Sequence, residues 1–410
     1  MRSPARLGAR AGSAEGAALI DREANPSERR FRSRSPGRHQ SATFFQPTSG
    51  PAAGTLVASR RQSREETELK RRFALAAALV TALVVAAAAS ASVTRSSDNN
   101  LKGAGSSFVF PLVSTWIPIV KSDLGYSVSY NPVGSGAGIA AITNRQVDFG
   151  ASDAPMTADQ FGACKGCVQI PWALSATSVA YNLDGAPVHL KISGKVLADI
   201  YLGKITRWND SRLAKLNKGV KLPNEKITPI YRSDASGTTY NFTDYLSSAS
   251  SDFKSKVGRG TQVNFPTGVG GRGSSGVSAV LKQTNGGIMY ADVAYAITNH
   301  FKFFSVQNRA GKYILPGIVG IKGAAASVTK VGSSNEISIV NPAKKFRAAY
   351  PISTYTYVIL PLQTGSASEL RKFVFWALTK GQPMGLKLRF APVPKTVLVA
   401  SEKTLKRIHT

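Results

Sequence analysis

The chain has 410 residues, 43% of them hydrophobic and only 18% charged, with 37 glycines and 21 prolines. That is enough for two domains with real cores, and it excludes a disulfide-stapled miniprotein and a wholly disordered chain. Lys and Arg number 52 against 23 Asp and Glu, a net charge of +29 that points to an anionic partner, while two cysteines, four histidines and four methionines leave little material for a soft-metal, haem or iron–sulfur site or for acid–base catalysis. The charge belongs mainly to the later part of the chain: residues 1–72 carry a net +8 and the rest +21. A solvated lysine face is the plain reading, and long-range attraction of anions or of a polyanionic cell surface is the sharper one. Nucleic acid is not expected, because the sequence has no zinc-finger spacing, no aromatic RNA-binding signature and no basic helix with heptads.

Residues 1–72 are rich in Arg, Ser, Ala and Pro without a sustained apolar period, which reads as a disordered basic leader. Lys70-Arg71-Arg72 then precedes seventeen uncharged residues, Phe73–Ala89, and a small-residue site at Ala89-Ser90-Ala91. A basic flank, an apolar run and a cleavage site make 73–91 a secretory signal peptide, with an uncleaved transmembrane anchor as the alternative. The long stretch ahead of the apolar run fits a true start downstream of Met1. Arg71-Arg72 is a weak twin-arginine export signal, and no cysteine near the end of the run supports a lipid anchor. The product is expected to be exported, to a periplasmic or cell-surface location.

Beyond Leu101, short strand-like runs alternate with helix-like stretches. SVSY (127–130) and VDFGAS (147–152) flank a small helix. Cys164 and Cys167 follow in ACKGC, between a loop and a probable strand. In an oxidising compartment this pair favours a small structural disulfide over a free or redox-active dithiol, and no second pair or nearby His suggests zinc. ITPIYR (227–232) leads through a turn into a helix, TTYNFTDYLSS, and GGIMYA (286–291) and YTYVIL (355–360) are further strands. SELRKFVFWALTKG (368–381) is an amphipathic helix with Gly381 placed to stop it. Alternating strands and helices predict an α/β fold, and about 300 residues predict two lobes rather than one core.

Three times a Gly/Ser cluster directly precedes a helix-like segment. Gly103-Ala-Gly-Ser-Ser107-Phe108 precedes VFPLVSTWIPIV, where Pro118 should kink the helix; Gly134-Ser135-Gly136-Ala-Gly138 precedes IAAITNR; Ser236-Gly237-Thr238 precedes TYNFTDYL. Helix N-termini leave backbone N–H groups unpaired with partial positive charge; Gly lets backbone approach a ligand, and Ser or Thr adds a rotatable donor. Each cluster alone is most simply an N-cap, but three of them predict convergence on one small tetrahedral anion. Arg232 lies four residues before Ser236, where a strand would deliver it to the same loop, and Asp234 is placed to pair with its planar fork; the plain alternative is a surface cation. Asp153 is either an ordinary turn residue before Ala154-Pro155 or an acceptor pointed into the cradle. In the second case it repels a fully ionised ligand and accepts a hydrogen bond from one that keeps a proton, as phosphate does at neutral pH and sulfate does not.

At these residues the sequence resembles the periplasmic phosphate-binding protein family, the substrate receptors of the phosphate-specific ABC importer. The matching stretches are GAGSSF (103–108), GSGAG (134–138), VDFGASDAP (147–155), DIYLGKITRWND (199–210), RSDASGT (232–238) and GGIMYADVAYA (286–296), over about residues 101–400. The resemblance implies a two-lobed Venus-flytrap (type II) α/β fold, with 101–175 and 356–410 as lobe 1, 176–355 as lobe 2, and hinge crossings near 174–177 and 354–357. Carried over, the phosphate ligands are Ser107 and Phe108 (backbone N–H), Ser135, Asp153, Arg232, Ser236, Gly237 and Thr238, with Asp234 in support. The implied partners are inorganic phosphate and a membrane permease; the chain is expected to be a monomer, without cofactor or metal and without enzymatic activity. The rivals are a receptor for another oxyanion, a phosphoesterase-like enzyme with a serine nucleophile, and an anchored adhesion protein that binds polyanions. None of the four histidines lies in these motifs, which weighs against the enzyme. Gly268-Val-Gly270-Gly-Arg-Gly273 fits a dinucleotide pattern but is read as a flexible loop before a helix near Ser275, and Trp208 as a packing residue.

Overall fold

The computed structural model describes residues 100–410, so the basic leader and the apolar segment 73–91 lie outside the described residues. The elements in chain order are β1 (Leu101–Gly105), α1 (Phe110–Leu124), β2 (Val128–Asn131), α2 (Ser135–Thr143), β3 (Phe149–Ser152), α3 (Ala158–Cys164), β4 (Cys167–Asn182), β5 (Lys191–Ile192), α4 (Gly194–Tyr201), α5 (Ser211–Leu216), β6 (Thr228–Arg232), α6 (Gly237–Ala249), α7 (Ser251–Lys256), β7 (Val269–Gly271), α8 (Gly273–Gln283), β8 (Gly287–Asp292), α9 (Val293–Thr298), β9 (Lys302–Phe303), β10 (Ser305–Gln307), β11 (Tyr313–Ile314), α10 (Ile318–Ala325), β12 (Ser353–Pro361), α11 (Ala367–Leu378), a 3₁₀ helix (Gln382–Leu388) and α12 (Lys395–Leu405). The α/β fold class expected from the alternating pattern is what is found.

The strands join in the order β2-β1-β3-β12-β4-β8-β6-β7, with β9 also paired to β4. At one end β1 runs parallel to β2 and β3; at the other β6 runs parallel to β8 and β7. Between them stand β12 and β4, antiparallel to each other and to their outer neighbours. The long strand β4 changes partner along its length: Cys167–Ala176 pairs with β12, and Thr177–Asn182 pairs with β8. All of β4 except Asn182 is buried, as are all nine residues of β12, which fits strands covered on both faces.

The described residues 100–410 belong to one compact unit, within which the apolar side chains gather into two large clusters. One takes Phe108, Trp116, Phe149, Trp172, Phe373 and Trp376; the other takes Tyr201, Trp208, Phe242, Tyr290, Phe304 and Tyr350. Trp172 sits at the centre of the first, with its ring centroid 5.3 Å from Trp116 and 6.1 Å from both Phe149 and Phe373. Trp208 is fully buried, donates from Nε1 to Gly286 O at 3.0 Å and stacks on Phe304, the packing role expected of it.

Helix α1 continues through Pro118, which lies on its exposed flank, to Leu124. Three local expectations need correction. Cys164 closes helix α3 rather than a loop, and it is bonded to Cys167 at the start of β4 with a Cα–Cα separation of 5.6 Å. The Gly268–Gly273 stretch is not all loop, because Val269–Gly271 adds a short parallel edge strand beside β6 and α8 begins at Gly273. Gly381 does not supply a left-handed stop: α11 ends at Leu378, and Gly381 has φ −73°. Its lack of a side chain serves the approach of Trp116, whose Nε1 donates to Gly381 O at 2.8 Å.

Truncating Trp172 leaves a cavity among three aromatic rings. Trp172→Ala is expected to lower unfolding free energy by about 3–5 kcal/mol, measured by urea denaturation; a loss under about 1 kcal/mol would contradict the central place given to this ring.

Candidate functional site

The carboxyl ends of the parallel strands at both ends of the sheet converge. Ser106, Ser107 and Phe108 follow β1, Ser135 follows β2 by a short turn, Asp153 follows β3, Arg232 ends β6, and Gly273 and Ser274 follow β7. In α/β sheets this is the edge where loops and helix N-termini are free to meet a ligand. Helices α2 and α6 start here, at Ser135 and Gly237. Gly134 holds φ 100°, a conformation that favours glycine, just before α2. At Gly237 a Cβ would fall 2.6 to 2.8 Å from backbone atoms of Asp153 and Ala154, so glycine is what lets the start of α6 lie against the Asp153 loop.

The contacts between these loops are direct. Ser135 Oγ accepts from Asp153 N at 3.3 Å and from Gly237 N at 3.1 Å, which leaves its own hydrogen free to donate. Gly136 N donates to Ala235 O at 3.0 Å, and Asn241 Nδ2 donates to Asp153 O at 2.7 Å. Ser107 Oγ lies 3.0 Å from Ser274 Oγ and accepts from Ser274 N at 3.0 Å. Two tyrosines pin the β1 loop: Tyr130 donates to Ser106 O at 2.8 Å and Tyr295 to Ser107 O at 2.9 Å.

Asp153 is 2% exposed. Ser106 Oγ donates to its Oδ1, and Thr238 Oγ1 donates to its Oδ2 at 3.3 Å. Burial pushes the Asp153 carboxyl up to about 6, against the lowering effect of the Ser106 hydroxyl, Arg232, Thr356 and Thr238. Arg232 is equally enclosed. Its Nε donates to Asp234 Oδ1 at 2.7 Å and its terminal nitrogen to Oδ2 at 2.5 Å, a bidentate fork, while the other terminal nitrogen faces Thr238 Oγ1 at 3.5 Å. Burial alone would raise Asp234, but the Arg232 guanidinium and the Gly273 N–H, at 2.9 Å, hold it below the ordinary carboxylate range.

The residues singled out in the sequence are therefore neighbours, and Arg232 and Asp153 are buried groups rather than a surface cation and an exposed turn. Two details differ in kind. Phe108 N donates to Ser106 Oγ at 3.0 Å, so that amide already has a partner inside the protein. Ser236 Oγ accepts from Thr239 N at 3.2 Å, the ordinary N-cap of α6, with its hydrogen still available. Ser106, Ser274, Tyr130, Tyr295 and Asn241 were not foreseen. Ser106 could have been read from the same Gly/Ser cluster as Ser107. Ser274 belongs to a fourth such cluster, Gly273-Ser274-Ser275-Gly276, which begins at the last glycine of the dinucleotide-like pattern. A cavity of about 470 Å³ lined by Phe303, Leu315, Val319 and Arg389 holds none of these residues. Among the described residues no three His, Cys, Asp or Glu side chains gather as a metal site requires.

Residues 85–380 match the model of the PBP superfamily domain. The chain is 37% identical over 311 residues to the phosphate-binding protein PstS of Xylella fastidiosa strain Temecula1, covering 75% of this chain and 85% of that one. It is 36% identical over 303 residues to PstS of Pasteurella multocida, covering 73% and 87%. In three dimensions it resembles the phosphate-binding protein of Stenotrophomonas maltophilia, with TM-score 0.61 at 19% identity over 74% of this chain and 93% of that one. A high affinity periplasmic phosphate-binding protein, PfluDING, superimposes with TM-score 0.59 at 18% identity over the same shares. The family match and the long, one-third-identical alignments establish that the chain belongs to the PBP superfamily and, within it, to the PstS family of phosphate-binding proteins.

Proposed function

We propose that the chain is an extracytoplasmic receptor that binds inorganic phosphate and delivers it to the permease of an ABC importer, without chemical turnover. The observation that carries this reading is the buried Asp153 carboxylate, set beside a buried Arg232 and among serine and threonine hydroxyls from loops at both ends of the sheet. Such a site suits a small tetrahedral anion that still holds a hydrogen. Of the residues foreseen, Ser107, Ser135, Asp153, Arg232, Ser236 and Thr238 are assigned as phosphate ligands, with Asp234 orienting Arg232 and limiting excess positive charge. Phe108 and Gly237 join them to the extent that their amides can be shared with Ser106 and Ser135. The PstS relatives bear the names of phosphate-binding proteins, which supports the same ligand here.

The mechanism assigned is capture by lobe closure. Lobe 1 is residues 101–175 and 356–410, lobe 2 is 176–355, and the crossings lie where β4 passes from β12 to β8 and where β12 begins. Bending near 174–177 and 354–357 would separate Ser107 from Ser274 and Ser135 from Gly237, opening the loops to hydrated phosphate; closure completes the contacts from both sides. Export by the 73–91 segment and a monomeric state complete the proposal. His189 packs on the Phe303 ring and His409 faces Arg407 O, so neither offers a serine in the site a general base.

Calorimetry with phosphate and sulfate tests this reading. Arg232→Ala removes charge-assisted donors and is expected to weaken phosphate binding about a hundredfold or more; an unaltered Kd would remove Arg232 from the site. Asp153→Asn keeps the shape but turns an obligate acceptor into a group that can also donate. Sulfate rejection is expected to fall at least about tenfold while phosphate affinity changes less, and unchanged selectivity would count against Asp153 as the reader of the ligand's hydrogen. Selectivity is also expected to depend on pH. Above about pH 6 Asp153 is ionised and can only accept; below it the carboxyl is protonated and can donate to a bare oxygen. Sulfate affinity should therefore rise as pH falls through about 6, and a pH-independent selectivity from 5 to 8 would refute the assignment.

A further inference from the structure

Ser106 stands beside the residues assigned to phosphate yet has no role among them. It is fully buried, and its hydroxyl occupies a junction. Phe108 N donates to Ser106 Oγ at 3.0 Å and Val109 N donates from 3.4 Å, so both acceptor positions of the hydroxyl are taken by backbone amides. A serine hydroxyl has one hydrogen and two acceptor positions. With the latter filled, the hydrogen must be donated, and it is donated to Asp153 Oδ1. The main chain of Ser106 cannot turn away from this arrangement, since Tyr130 holds its carbonyl at 2.8 Å. The second carboxylate oxygen meets Thr238 Oγ1, itself faced by Arg232 from 3.5 Å and so oriented to donate as well. Both oxygens of Asp153 thus receive hydrogens from the protein, which opposes the upward push of burial on its carboxyl.

We propose that Ser106 is a positioning residue that sets anion specificity: driven by the Phe108 and Val109 amides, its hydroxyl locks Asp153 as an acceptor, so that the carboxylate can greet only an oxyanion that brings a hydrogen. The inference rests on the phosphate-receptor reading above and refines it. It has a consequence that a merely structural serine would lack. Ser106 draws on the Phe108 amide, which the family resemblance assigns to the anion. Removing the hydroxyl frees that amide toward the ligand while unlocking Asp153. Overall oxyanion affinity should hold or increase, while discrimination falls.

The other groups facing Asp153 are Arg232 on β6 with its partner Asp234, Tyr130 on β2, Tyr295 on α9 and Asp292 at the end of β8, which burial pushes far above the ordinary carboxylate range. None of them bonds the Ser106 hydroxyl, whose partners are Asp153 and the Phe108 and Val109 amides. Among the influences that hold Asp153 down against burial, the Ser106 hydroxyl is the leading one, so its loss moves the carboxyl upward.

The test is titration calorimetry of the full chain with inorganic phosphate and with sulfate between pH 5.5 and 8, for the wild type, Ser106→Ala, Ser106→Thr and Ser106→Cys. For Ser106→Ala the ratio of sulfate to phosphate Kd at pH 7 is expected to fall about tenfold or more, chiefly through tighter sulfate binding, and the pH at which sulfate rejection is lost should move upward. Ser106→Thr, which keeps the donor, should restore both, and Ser106→Cys, of similar shape but a weak donor, should fall between. A ratio and midpoint within twofold of the wild type in Ser106→Ala, or an equal weakening of both anions, would overturn the proposal while leaving the phosphate reading intact. If Ser106→Ala does not fold, as judged by its melting curve, the cysteine variant decides by the same readouts. A wild-type chain that binds neither anion would instead bring down the receptor reading, and this inference with it.

Discussion

Removing an aspartate from water is costly unless its charge is met by directed hydrogen bonds, and Asp153 is buried almost completely. The arrangement around it follows from that constraint. Two hydroxyls reach its oxygens, its own amide is taken by Ser135 and its carbonyl by Asn241. The partners come from the loop after β1, the start of α2 and helix α6, so Asp153 is satisfied only when the segments after β1, β2, β3 and β6 are assembled. The same assembly brings Ser107 to Ser274 and Gly136 to Ala235. Compensation of one buried charge therefore coincides with the meeting of the two ends of the sheet.

The formal charges at the site do not favour an anion. Arg232 contributes one positive charge, Asp234 cancels it through a bidentate pair, and Asp153 adds a negative one when ionised. Attraction must come from dipoles: the amides at the starts of α2 and α6 and the hydroxyls of Ser135 and Ser236, whose hydrogens are not spent inside the protein. Dipoles act at short range and are insensitive to salt, whereas the excess of Lys and Arg over the whole chain acts at a distance and is screened beyond about 10 Å at 0.1 M salt. The two are suited to different tasks, gathering anions and holding one. This division also explains how a strongly basic chain can contain a site with a buried carboxylate, to which the proposed selectivity is assigned.

Much of this was legible before any coordinates. Ser135, Asp153, Arg232 and Ser236 sit in short runs in which Gly, Ser and a charge abut a strand end or a helix start, and local chemistry alone predicts where such runs go. What escaped depended on contacts distant in sequence. Ser274 meets Ser107 across 167 positions, and Tyr295 reaches the same loop across 188; no periodicity reports such meetings. Gly381 was read as a helix stop because that is glycine's common use after a helix, yet what it accommodates is the indole of Trp116, which belongs to another helix. The short edge strand at Val269–Gly271 was missed because three residues leave no alternation to detect, and its existence depends on β6 beside it.

The crossing strands show how the fold and the site are coupled. β12 pairs with β3 up to Ser152, the residue before Asp153, and Thr354 and Thr356 direct their hydroxyls toward Asp153 O and Ser152 O at 3.4 Å. On β4, Ser175 donates to the buried Asp292 at 2.7 Å, and Thr177 pairs with Asp292 in the register. Asp292 in turn caps α9, the helix that carries Tyr295 to the Ser107 loop. The proposed hinge residues are thus bonded to the very segments that orient the site on either side. A bend in β4 or β12 would act on those segments, on the Asp153 loop through Thr354 and on the Tyr295 helix through Asp292. Both segments end on groups that bond around Asp153 and Ser107, so the proposed capture by closure would couple movement at the crossings to completion of the anion's contacts.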